Sequence, residues 1–167
     1  MIAFVGIGVL IVAASFLVSH LLHRRFPHLM TAALLIIAVG LAHSIMGELA
    51  LISPLKLVKD LPTPRGSVEQ TWLVIRVTWH APTLFWFGLA SVLIWMEMHP
   101  VSASHPFLWM VVAVFSIASF VSVLTSPLGH VAWLYFLVIA LLCLVRITLL
   151  SRQQAKVGTG VVSHPEI

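Results

Sequence analysis

The chain has 167 residues, of which 60% are hydrophobic and only 8% charged, with a mean hydropathy of +1.10. That balance excludes an ordinary soluble globular domain and marks an integral membrane protein. The formal charge of +4 would point to nucleic acid in a soluble chain, but here the bases flank apolar runs, where cations sit beside anionic headgroups, so nucleic acid is not among the expected partners.

Five apolar stretches are long enough to cross a hydrocarbon core of about 30 Å, which takes about 20 helical residues. They run from Ile2 to Leu22, Met30 to Ile52, Trp72 to Met98, Pro106 to Thr125 and Gly129 to Leu150. The prediction is an all-α integral membrane protein, a bundle of five transmembrane helices in one domain over residues 1–152, with a disordered tail at 153–167. The first stretch lacks a basic leader and is followed by Arg24-Arg25, which reads as a retained helix rather than a signal peptide. Between the last two stretches, Ser126-Pro127-Leu128-Gly129 is a turn signal. Without a break there, one helix of about 67 Å would result, twice the membrane thickness, and the bundle would fall back to four helices.

Five crossings place Lys56, Lys59, Arg65 and Arg76 on the side of the N-terminus, side X, and Arg24, Arg25, Arg146, Arg152 and Lys156 on the opposite side, Y. The weight of the first helix favours Y as the cytoplasmic side, while five bases against four leave a dual-topology chain open. The lone cysteine, Cys143, lies in an apolar run and supports neither a disulfide framework nor a thiolate metal site. The segment from Ser53 to Gln70, rich in proline and mixed charge, predicts an irregular loop on side X. Trp72, Trp79 and Trp86 recur every seven residues on one face of the third helix, which predicts a packing or lipid-facing stripe.

Ionisable side chains inside such helices are costly and need partners. His43 and His80 lie at matching distances from the X ends of the second and third helices, roughly 12 to 14 Å deep, and Glu48 and Arg76 share a level about 6 Å deep. An antiparallel hairpin would bring each pair face to face. Arg76 and His80, four residues apart, share one side of the third helix with Thr83 a turn deeper, and Ser44 and Glu48 share one side of the second. His43 and Glu48 are about 140° apart around the helix and so border one pocket from two sides. His130 opens the fifth helix on the same side, and Met46 adds a thioether.

Two or three imidazoles with a carboxylate suit zinc, iron or copper, so His43, His80, Glu48 and His130 are the expected ligands of a transition metal, with Arg76 as counter-ion. An open coordination position would make Glu48 a general base in a metal-dependent membrane enzyme, or the site could serve metal handling. Alternatively, His43 and His80 are axial ligands of haem b in an electron-transfer protein, with Arg76 facing a propionate and Gly40 and Gly47 admitting the macrocycle. A third class is a non-catalytic accessory subunit or small transporter, in which the small residues Gly40, Ala42, Ser44 and Gly47 permit close helix approach and the polar cluster locks the helices together. His20, His23, His28, His99, His105 and Glu97 gather on side Y, at helix ends where headgroups accommodate them.

The segment HSIMGE, followed about thirty residues later by RVTWHAPTLFWFGLA, resembles a family of small uncharacterised bacterial integral membrane proteins with a His-Ser-x-x-Gly-Glu segment and a later Arg-x-x-Trp-His helix. The matching residues are His43, Ser44, Gly47 and Glu48, then Arg76, Trp79 and His80. HAPTLFWFGLA alone is also similar to a helix of copper-resistance membrane proteins. The resemblance covers under a third of the chain and implies a multi-pass protein of the bacterial cytoplasmic membrane, with no reaction attached. Apart from the resemblance, the expected partner is the lipid bilayer, with a homo-oligomer or a larger membrane complex left open.

Overall fold

A computed structural model describes residues 2–21, 27–58, 63, 66–99, 105–125 and 132–160. All regular structure among them is helical. Helix α1 spans Ile2–Leu21, α2 His28–Gly47, α3 Val68–Met98, α4 His105–Thr125 and α5 Ala132–Gly160. Beyond Gly47, α2 runs on through a π-helical turn, Glu48–Ile52, and a further turn, Ser53–Leu55. Four segments are long and apolar enough to cross a bilayer: His28–Leu55, Val68–Met98, His105–Thr125 and Ala132–Ala155.

The larger differences from the expectation lie at three boundaries, while His28 and His105 start their helices within two residues of the expected Met30 and Pro106. The second helix continues past Ile52 to Leu55, and the third begins at Val68 rather than Trp72. Ser67 sets that earlier start: its hydroxyl accepts the Gln70 amide hydrogen at 3.1 Å, satisfying one of the unpaired N–H groups of a first helical turn. The third difference is at the tail, where α5 continues from Gln153 to Gly160 instead of ending; residues 161–167 lie outside the described ones. The break between the fourth and fifth apolar runs is real, since α4 and α5 pack side by side as separate helices.

Helix α2 is central. It pairs with α3 and with α5, and α1 lies against it, while α4 pairs with α5. The apolar core joins Leu29, Ile36 and Val39 of α2, Leu93 and Met96 of α3, Leu108 and Phe115 of α4, and Phe136, Ile139 and Cys143 of α5. Glu97 of α3 ties one end of the α2–α3 pair, its carboxylate accepting the Leu29 amide hydrogen at 2.9 Å. An anion there suits the exposed N–H groups and positive dipole end of α2. The core therefore occupies the half of the α2–α3 pair from Leu29 to Val39 and Leu89 to Met96. The other half, towards Leu55 and Val68, carries the polar residues.

Candidate functional site

Two prolines shape that polar half. Pro54 lacks an N–H, and its ring crowds the carbonyl four residues back. The turn before it widens, with the Ser53 amide hydrogen going to the Glu48 carbonyl, five residues back. Glu48 thus stands at the start of a π-helical turn, a local form that concentrates at functional sites. Pro82 lies inside α3 and, lacking an N–H, leaves the Thr78 carbonyl without its helical donor.

The register of α2 against α3 then sorts the side chains into two stripes. Gly40, Ser44 and Glu48, four residues apart, face Arg76, His80 and Thr83. Arg76 forks onto Glu48, with Nη2 donating to Oε1 at 2.6 Å and Nε to Oε2 at 3.3 Å. His80 Nε2 is 3.4 Å from Glu48 Oε2, and its other ring nitrogen, Nδ1, is 2.9 Å from Ser44 Oγ. Ser44 Oγ also lies 2.9 Å from Thr83 Oγ1, and Thr83 donates to the Gly40 carbonyl at 3.5 Å. One hydrogen-bonded chain thus leads inward from the half-exposed Arg76 and Glu48 to the buried Thr83.

The second stripe holds His43. Its ring stacks on Trp79, with centroids 4.6 Å apart and planes within 5°, and meets Trp86 edge-on at 5.3 Å. His43 Nε2 donates to the Trp79 carbonyl at 3.1 Å, and Trp79 Nε1 donates to the His43 carbonyl at 3.1 Å. A Cβ on Gly47 would fall inside the Trp79 indole, so the glycine is what lets the tryptophan reach α2. The tryptophan repeat predicted as packing is in part just that, continued by Trp86 onto Phe136 of α5 at 6.1 Å.

The expected facing of Glu48 and Arg76 is found. That of His43 and His80 is not: they share a level, but His43 is turned about 100° from Ser44 around α2, so it meets Trp79 while His80 meets Ser44 and Glu48. Matching depth placed the levels correctly and left the angle open. Met46 is exposed, and His130 lies outside the described residues. Among the described residues, no three His, Cys, Asp or Glu side chains gather as a metal-ligand set. Glu48 and His80 make only a pair, beside a guanidinium whose charge opposes a cation.

Sequence reasoning passed over four residues with definite roles. Ser67 caps α3, a role signalled by the capping-box pattern Ser67-Val68-Glu69-Gln70. Trp79 and Glu97 form the interhelical bonds described above, for which a single sequence carries no signal. Arg146, grouped with the bases flanking side Y, is instead a buried side chain, only 9% exposed. No protein-family profile, curated protein or solved structure matches the chain.

What the polar stripe can do chemically follows from its atoms. A carboxylate oxygen accepts, so neutral His80 donates through Nε2 to Glu48 and accepts at Nδ1 from Ser44. In that neutral state Thr83 donates to Ser44; if His80 gains a proton, Nδ1 donates to Ser44, Ser44 turns its hydrogen to Thr83, and Thr83 turns its own to the Gly40 carbonyl. The direction of the chain reverses while its heavy atoms stay in place.

Proposed function

We propose that the chain is a small multi-pass membrane protein of proton-coupled transport, either a transporter or a subunit of one, in which the α2–α3 pair takes up protons through Glu48, His80, Ser44 and Thr83. The observation that carries this reading is the position of His80, with one ring nitrogen at a carboxylate and the other at a hydroxyl. Carboxylate–imidazole chains inside membrane helices belong to proton pathways. Centring the two helices in a hydrocarbon layer of about 30 Å puts Glu48 and Arg76 about 10 Å from the midplane and Thr83 close to it. The relay is then a half-path, open to one side and ending at mid-membrane against the apolar core. The forked contact of Arg76 balances the charge of the Glu48 carboxylate at the open end of the path.

The test is a pH jump applied to proteoliposomes on a solid-supported membrane, read as transient charge displacement. The wild-type chain is expected to give a transient that Glu48→Gln and His80→Gln reduce at least about tenfold, the scale of one lost charge-assisted hydrogen bond. Transients of equal size in the folded variants and the wild type would overturn the reading. A purely structural lock makes the opposite forecast, with stability lowered in Glu48→Gln/Arg76→Gln and charge displacement unchanged.

A further inference from the structure

At the far end of the bundle from the relay, two polar atoms are left over. Among the described residues, two side-chain nitrogen or oxygen atoms are fully buried without a hydrogen-bond partner: His105 Nε2 and Arg146 Nε. They sit on different helices, His105 in the first turn of α4 and Arg146 in the middle of α5.

The register of α4 against α5 brings them to one level. Phe115 and Phe136 touch at 5.7 Å between ring centroids, and Ser119 donates to the Trp133 carbonyl at 2.9 Å, which fixes an antiparallel pairing. His105 lies ten residues before Phe115, and Arg146 ten residues after Phe136. Both are therefore about 15 Å from the phenylalanine pair, on the same side of it.

A buried guanidinium N–H without an acceptor and, at its level, a buried imidazole nitrogen that donates when it carries the hydrogen together suit an anion. A buried guanidinium is expensive unless its charge is paired. The carboxylate towards the same end, Glu97, is committed to the Leu29 amide, and among the described residues it forms no ion pair with Arg146. The first turn of α4 adds backbone N–H groups and a positive dipole end. The unpaired atom of Arg146 is Nε, the inner corner of the guanidinium edge that grips phosphate or carboxylate bidentately. The level matters as well: Phe136 meets Trp86, about one turn past Thr83, so a further 15 Å or so reaches the edge of a hydrocarbon core about 30 Å thick, where lipid phosphates begin.

We propose that His105 and Arg146 form a binding site for a phosphate group between α4 and α5. The phosphate is that of an anionic phospholipid headgroup or free inorganic phosphate. The inference shares with the proposed function only the placement of the helices in a bilayer, and it stands if Glu48 and His80 carry no proton.

The experiment uses the full chain in mild detergent. Native mass spectrometry after exposure to equal amounts of phosphatidylglycerol and phosphatidylcholine reads the lipid source, and thermal unfolding of delipidated protein with inorganic phosphate, against chloride at matched ionic strength, reads the free ion. For a lipid site, the wild type is expected to retain phosphatidylglycerol about tenfold over phosphatidylcholine, with the preference lost in Arg146→Gln and weakened in His105→Gln. For a free-phosphate site, phosphate raises the unfolding temperature of the wild type beyond chloride and leaves Arg146→Gln unchanged. Should Arg146→Gln fail to fold, His105→Gln and the wild-type lipid preference still decide. Equal retention of the two lipids by the wild type, together with equal effects of phosphate and chloride, would overturn the proposal.

Discussion

Gly47→Ala is the sharpest test of how the hairpin is held. The new Cβ would overlap Trp79 at Nε1, Cε2 and Cδ1, part of a rigid ring that cannot bend aside as a long aliphatic chain would. The indole must swing out, giving up its stack on His43 and its bond to the His43 carbonyl. An aromatic pair contributes about 0.5–1.5 kcal/mol beyond burial, a neutral hydrogen bond about 1 kcal/mol, and forced overpacking about 1–3 kcal/mol. Because these losses overlap, we expect a destabilisation of about 2–4 kcal/mol. Equilibrium unfolding in mixed micelles, followed by tryptophan fluorescence, measures it. Gly88 is the control, since a Cβ there meets nothing within 4 Å, and Gly88→Ala should be neutral or stabilising by up to about 1 kcal/mol through helix propensity. A further check is the double variant Gly47→Ala/Trp79→Ala, in which the glycine substitution should cost almost nothing. If Gly47→Ala proves as stable as Gly88→Ala, the close approach of Trp79 to α2 is wrong.

Ser44→Ala should interrupt the relay and leave His80 Nδ1 and Thr83 without their shared partner, costing about 1–3 kcal/mol in micelle unfolding and shrinking the pH-jump charge displacement. His43→Phe preserves the stack on Trp79 but not the bond to its carbonyl, so stability should fall by about 1 kcal/mol while charge displacement is retained. Elemental analysis should find the same metal content in wild-type and His43→Ala protein, because the His43 imidazole is bound to Trp79 and not to Glu48. Glu97→Ala should loosen the start of α2 by about 0.5–2 kcal/mol, the range of a lost helix cap, seen as faster amide exchange at Leu29 and Met30.

The helices were legible because hydropathy reads length and little else, and the apolar runs end close to where the helices do. Glu48 and Arg76 were legible for a related reason: distance along a helix converts directly to depth, and two groups of opposite charge at one depth across a hairpin attract. Orientation around the helix axis was not legible. One residue shifts a side chain by about 100°, and that single step separates His43, in the aromatic stripe, from Ser44, in the polar one. The widened turn at Glu48 was hidden as well, although its cause, Pro54, stands in plain view. Arg146 was placed on the correct side, but its burial was not legible, because a base near the end of an apolar run normally faces the headgroups. Its burial is a matter of packing, and the register of α4 against α5, fixed by Phe115, Phe136 and Ser119, puts it at the level of His105.

His80 is where the proposed path takes up its proton, with Glu48 and Ser44 on its two ring nitrogens, and magnetic resonance of the protein in bilayers reads that uptake directly. With 15N-labelled histidine and 13C-labelled glutamate, the account predicts that both His80 ring nitrogens and the Glu48 carboxyl carbon shift together as pH is varied, and that Glu48→Gln and Ser44→Ala each change the His80 response. A His80 ring that holds one neutral tautomer throughout, indifferent to both substitutions, would contradict it.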